Sequence, residues 1–191
     1  MLNDDLVAAF HKTQSFKWDP KGGFKLASGL LSPFYVDCRT LMAFPHARHV
    51  VAKNALEVIG DLHIDCLGGL EIGAISIATS ISDYAYSASP RREWRTFFVR
   101  KQPKDHGLGR LVEGVVRTGD RALIVDDVLT SGGSVVKAIT AAREAGLNVT
   151  DALVIVDRKE QDGRARVEQM GVRVLSLLTI DHLMKGGPIP R

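Results

Sequence analysis

The sequence predicts an α/β protein in which a central, mostly parallel sheet is flanked by helices. Three observations carry this expectation. Short, nearly continuous apolar runs recur along the chain, as strands buried on both faces require. Segments with helical periodicity separate them, the pattern of βαβ units. The 191 residues, 45% hydrophobic and 25% charged, suit one domain of ordinary size with its own core.

Taken in order, Asp4 to Thr13 is an amphipathic stretch, followed by the turn-rich Asp19-Pro20-Lys21-Gly22-Gly23. Phe24 to Arg39 alternates and is broken by Ser28-Gly29 and Ser32-Pro33, which predicts two short strands around a turn. Ala47 to Gly60 predicts a helix, with Val51, Ala55, Val58 and Ile59 apolar and Gly60 just past its end. The apolar runs are Ile64 to Leu67, Thr96 to Val99, Ala122 to Val125, Ala152 to Val156 and Val172 to Leu178. Helices are expected between them at Ala74 to Tyr86, Ser134 to Ala145 and Gly163 to Met170. Ligands in such folds bind beyond the C-terminal ends of the strands.

Composition narrows the function classes. No run of eighteen apolar residues occurs, so no membrane span is expected. Met1 to Lys12 carries Asp4 and Asp5 and does not read as a signal peptide. Two cysteines, Cys38 and Cys66, neither in a CxxC, suit a cytoplasmic protein with reduced thiols. A net charge of +3 is too mild to argue for nucleic acid. The positive charge is nevertheless concentrated between Arg91 and Arg121, where an anionic ligand is expected.

The most informative stretch is Ala122 to Ile139, ALIVDDVLTSGGSVVKAI. An apolar strand is followed by Asp126 and Asp127, then by Val128, Leu129 and the loop Thr130-Ser131-Gly132-Gly133-Ser134, and a helix begins at once. Two glycines let backbone N–H groups turn inward. Hydroxyls add donors, and the helix N-terminus adds unpaired N–H groups and the positive end of its dipole. This loop suits a phosphate monoester. The acid pair would repel that phosphate unless it faces hydroxyls or a cation, and a ribose diol with Mg²⁺ supplies both. A bare acid turn capping a helix would not need the hydroxyl–glycine loop. No Gly-Lys-Ser/Thr is present, which excludes a P-loop. Gly68 to Gly73 lacks the spacing of a dinucleotide fingerprint.

This segment resembles the phosphoribosyl pyrophosphate (PRPP) signature of the type I phosphoribosyltransferases. Two further segments resemble the orotate phosphoribosyltransferases in particular: Phe24 to Arg39, FKLASGLLSPFYVDCR, and Arg100 to Gly114, RKQPKDHGLGRLVEG. Asp157-Arg158-Lys159-Glu160 fits the family's arginine at the base site. The likeness runs over roughly residues 10–182. It implies one phosphoribosyltransferase domain over residues 1–191, with an N-terminal hood (1–40), a core (60–180) and a mobile catalytic loop (100–114). It also implies a homodimer in which that loop serves the neighbouring subunit. Gly107 and Gly109 would give the loop flexibility, and Arg100, Lys101, Lys104 and His106 place four donors within seven residues.

The resemblance implies transfer of ribose 5-phosphate from PRPP to orotate, with Mg²⁺. Thr130 to Ser134 would hold the 5′-phosphate, and Asp126 and Asp127 the ribose. Lys101, Lys104 and His106 would support the departing pyrophosphate, with Arg100 and the backbone of Glu71, Ile72 and Gly73 assisting. Arg158 would pair bidentately with the orotate carboxylate; Thr130, Tyr35 and backbone groups near Ala27 to Tyr35 would complete the base pocket. Mg²⁺ would be held mainly by substrate, with Asp127 the one candidate protein ligand. Some relatives carry lysine where this chain has Ala27 and Ile72. Other readings are a phosphoribosyltransferase for another base and a PRPP-sensing regulator; the regulator lacks room for a helix-turn-helix domain before Gly23. His46 and His49, His63, Trp18, Trp94 and Cys66 read as surface or packing residues.

Overall fold

The computed structural model describes residues 4–25, 31–103 and 111–185. The chain opens with α1 (Asp4–Lys12) and four short strands: β1 (Phe16–Trp18), β2 (Phe24–Lys25), β3 (Leu31–Ser32) and β4 (Phe34–Val36). α2 (Cys38–Ala43) and α3 (Pro45–Ile59) follow. Then come β5 (Cys66–Leu70), α4 (Gly73–Ser87), β6 (Arg95–Val99), β7 (Val112–Gly114), β8 (Arg121–Leu129), α5 (Gly133–Glu144), β9 (Asn148–Asp157), α6 (Gly163–Glu168), β10 (Arg173–Thr179) and α7 (Ile180–Lys185).

Local chemistry sets the helix ends. The Asp37 carboxylate accepts the N–H groups of Arg39 and Thr40, each at 3.1 Å, and so starts α2. Pro45 occupies the first turn of α3, where its missing N–H costs nothing. Gly146, at φ 85°, turns the chain out of α5 in the left-handed conformation that glycine adopts freely. Gly60, by contrast, keeps a right-handed φ of −58° at the end of α3. It is small because a Cβ there would stand 2.7 Å from the Leu56 carbonyl oxygen.

The main sheet has six strands in the order β10-β9-β8-β5-β6-β7. All neighbours are parallel except β7, which runs antiparallel to β6. One face packs on α1, α3, α4 and α7, where Leu6, Phe10, Val51, Ile77, Ile81, Leu123 and Val125 form one core. The other packs on α5 and α6, with Ile124, Val135, Ile139, Val154 and Val167 in a second core. Ile124 and Val125 thus enter opposite cores, as successive residues of a strand do. The parallel α/β architecture expected from the apolar runs is the one observed.

Several boundaries differ from the sequence reading. Among the described residues, Phe24 to Arg39 holds three short strands and the start of a helix, where two strands were expected. β2 pairs with β3, whereas β4 pairs back to β1 through Phe16–Val36, Lys17–Tyr35 and Trp18–Phe34. The strand expected at Ile64 begins at Cys66 and runs on through Gly68 and Gly69. Val112 to Gly114, placed by the sequence in the basic loop, is a strand. Asp126 and Asp127 lie inside β8, not in the turn after it. Apolarity marks only the buried part of a strand, and ladder pairing carries it farther.

Gly68 and Gly69 are needed for close approach. A Cβ on Gly69 would collide with the Val125 carbonyl oxygen, and one on Gly68 with that of Phe97. Gly69→Ala should therefore destabilise the protein by about 1–3 kcal/mol, as overpacked cores do. A fall in the midpoint of urea unfolding at unchanged slope is the expected result.

Candidate active site

β5 and β8 are neighbours only as far as the Gly68–Ile124 pair. Beyond it the chain after β5 crosses to β6 on one side, and the chain after β8 crosses to β9 on the other. A crevice opens where connections diverge in this way. Here it is a cavity of about 630 Å³, lined by the ends of β5 and β8, the loop before α5, β4 and the turn after β9.

Asp126 and Asp127 stand on its floor. Asp126 is 6% exposed. Its Oδ1 accepts the Asp127 N–H at 2.9 Å, and Asp127 Oδ1 accepts the Val128 N–H at 2.8 Å. Burial, and then the charge of Asp127, holds the Asp126 carboxyl well above the usual carboxylate range. Asp127 faces the start of α4: a Cβ on Gly73 would come within 3.2 Å of its carboxylate. Burial also pushes the neighbouring Cys38 thiol well up, with Asp127 adding to the effect, so that thiol stays protonated and unreactive.

The loop Thr130 to Ser134 forms the opposite wall. Gly132, at φ 73°, is the N-cap of α5, and no side chain caps that helix end. Its first N–H groups are thus left for a ligand. Gly163, at the start of α6, backs the loop so closely that a Cβ on it would collide with the Thr130 carbonyl oxygen. A Cβ on Gly132 would stand 2.7 Å from the Gly163 carbonyl oxygen.

Glu71, Ile72, Gly73 and Lys101 line the cavity on the β5 side. The Glu71 carboxylate accepts the Lys101 N–H at 2.8 Å, and the Arg100 N–H donates to the Leu111 carbonyl, also at 2.8 Å. The base of the basic segment is therefore fixed. Arg100 does not line the cavity; its Nε donates to the Gln102 carbonyl. Lys104, His106, Gly107 and Gly109, like Ala27 and Ser28-Gly29, lie outside the described residues.

Tyr35 and Arg158 line the side formed by β4 and the turn after β9. The Arg158 side chain is 5% exposed. Its Nε donates to Glu160 Oε2 at 3.1 Å, and its Nη2 donates to Ser32 Oγ at 2.7 Å and to Glu160 Oε1 at 3.4 Å. The expected bidentate pairing with a ligand carboxylate meets one occupied edge of the guanidinium. The edge formed by Nε and Nη2 already holds Glu160, because two residues of sequence separation let a carboxylate fold back on its own arginine. Lys25, Val36, Asp37, Cys38, Arg39 and Gln161 also line the cavity and were not singled out in the sequence. All but Gln161 fall within the Phe24 to Arg39 segment, whose likeness to the family did not say which of its side chains face the cavity; Gln161 follows Glu160 in the turn after β9.

The sequence model of the phosphoribosyl transferase domain matches residues 37–176. Orotate phosphoribosyltransferase of Aquifex aeolicus (strain VF5) is 36% identical, over 96% of this chain and 99% of that protein. That of Pyrococcus horikoshii is also 36% identical, over 100% and 97%. The chain belongs to the orotate phosphoribosyltransferase family. The structure is likewise similar to the Mycobacterium tuberculosis H37Rv orotate phosphoribosyltransferase solved in complex with 5-phospho-α-D-ribosyl 1-diphosphate. That match has a TM-score of 0.72 and 26% identity, and covers 94% of this chain and 91% of that one.

Burial of the Asp126 carboxyl beside Asp127 makes its ionised form a cost to folding. A carboxyl whose pKa is raised on folding contributes fully below about pH 4 and loses that contribution as pH rises through its folded-state pKa. Asp126→Asn should therefore raise the melting temperature of the ligand-free protein at pH 7 and change it little near pH 4. Turnover by the same variant should fall about tenfold or more. Gly132→Ala must strain the loop at positive φ, so its Michaelis constant for the phosphorylated donor should rise about tenfold or more in steady-state kinetics.

Proposed function

We propose that the chain transfers ribose 5-phosphate from PRPP to orotate, giving orotidine 5′-phosphate and pyrophosphate in de novo pyrimidine biosynthesis. The observation that supports this most directly is the meeting, in one cavity, of an uncapped helix N-terminus, two carboxylates and a buried arginine. These three suit a phosphate, a diol and an anionic base in turn.

Thr130, Ser131, Gly132, Gly133 and Ser134 receive the 5′-phosphate on N–H groups and hydroxyls. Asp126 and Asp127 accept the ribose hydroxyls and offset the positive charge that grows on the sugar as the C1′–pyrophosphate bond breaks. Lys101, with Arg100 beside it and Lys104 and His106 farther along the segment, supports the negative charge on the leaving group. The N–H groups of Glu71 to Gly73 add to that support. Arg158, Tyr35 and Thr130 hold the base. Orotate is already deprotonated at the attacking nitrogen in its reactive form, so positioning and electrostatics supply the rate.

The donor set fits a substrate-borne cation. Among the described residues no group of three or more His, Cys, Asp or Glu side chains could hold a metal. Asp126 and Asp127 offer two carboxylates at most, and Asp127 is the better exposed. Mg²⁺ characteristically uses one or two carboxylates together with substrate phosphates. Bound there, it would neutralise pyrophosphate charge. We assign the residues 1–191 to a single domain with a hood, a core and a catalytic loop, acting in the cytoplasm as a homodimer whose basic loop reaches the neighbouring site.

Loss of orotate ultraviolet absorbance should require the protein, PRPP and Mg²⁺ together. In competition, orotate should be consumed and uracil, hypoxanthine and adenine should not; consumption of a purine instead would overturn the assignment. Lys101→Ala should slow single-turnover chemistry about tenfold or more while the protein still binds PRPP.

A further inference from the structure

Arg158 does not wait in the cavity as a free cation. Ser32, on β3, is 4% exposed and bonds the Arg158 Nη2. The Phe34 N–H in turn donates to Ser32 Oγ at 3.3 Å, which ties that hydroxyl to the strand carrying Tyr35. Glu160 holds the edge formed by Nε and Nη2 through both carboxylate oxygens. It is set back toward Arg158 by left-handed residues on either side, Lys159 at φ 54° and Gln161 at φ 53°. Such backbone is rare in side-chain-bearing residues and persists where the surroundings impose it. Below the turn, Asp157 accepts the Lys159 N–H and the Arg164 Nε, each at 2.8 Å, so its frame is anchored.

One donor group remains. Nη1 has no hydrogen bond to any described residue, and it is not sealed from solvent. In a side chain this deeply buried that lines the cavity, Nη1 is the nitrogen left to meet a ligand. We propose that Glu160 and Ser32 are positioning residues for base recognition: they occupy the Nε and Nη2 donors of Arg158 and present Nη1 alone to the anionic base. This rests on the assignment of orotate as acceptor and adds how the arginine reads it. Glu160 also balances the arginine's charge before substrate arrives, so the empty pocket does not bury an uncompensated cation. The base is then recognised by a directed single donor, not by a fork.

The test is steady-state kinetics on Glu160→Gln and Ser32→Ala with both substrates varied. Glu160→Gln loses a charge-assisted contact, and its Michaelis constant for orotate should rise about tenfold. The constant for PRPP should move far less, whereas a general structural defect would raise both. Ser32→Ala should show the same split at a few-fold. An orotate constant that is unchanged or lowered in folded Glu160→Gln overturns the proposal; a lowered value would make Glu160 a competitor for the arginine. If Glu160→Gln does not fold, Ser32→Ala decides by the same split. Absence of orotate turnover in the unsubstituted protein would instead sink the functional assignment itself.

Discussion

Two adjacent carboxylates at the end of a buried strand are the constraint around which the site is organised. Asp126 is nearly inaccessible and stands beside Asp127 at the point where β5 and β8 part. Neither burial nor a like charge favours ionisation. The fold tolerates this because the sheet beneath is fully packed on both faces, with Ile124 and Val125 in separate cores. In the proposed reaction, a ligand that brings hydroxyls and a cation would offset the cost that folding leaves at these acids.

The loop before α5 shows how packing shapes an apparently flexible segment. Gly132 and Gly133 look permissive in sequence, yet Gly132 is held against Gly163 from a helix some thirty positions later. The loop is a fixed cradle, not a mobile one, and its donors need little reorganisation to receive an anion. A comparable device fixes the basic segment, whose two ends are tied by the Glu71 carboxylate and by the Arg100–Leu111 backbone bond. What such ties restrict is where the segment starts and ends, and hence which part of the cavity its lysine serves.

At Arg158 the same logic applies to charge. An arginine 5% exposed would be expensive to bury alone. Glu160 and Ser32 make it tolerable and give it a direction. A charge-balanced, oriented guanidinium discriminates by geometry, and the hydrogen bonds that hold it come from Ser32, Phe34 and Glu160 on three separate elements of the chain.

Much of this molecule was legible in its residues. The run from Ala122 to Ile139 determined a strand, an acid pair and a glycine-hydroxyl loop that opens a helix, since apolar periodicity, glycine placement and hydroxyl content are local properties with local consequences. The apolar runs determined a parallel sheet for the same reason. Only the tertiary structure decided that the acids lie within β8, that Val112 to Gly114 closes the sheet edge, and that β4 pairs with β1. It alone placed Cys38 and Gln161 on the cavity and turned Glu160 and Ser32 onto Arg158. Those outcomes depend on contacts between residues far apart in the chain, such as Arg158 and Ser32 at 126 positions and Ser32 and Glu160 at 128, and pairing at that range is set by how the whole sheet packs, which no local pattern encodes.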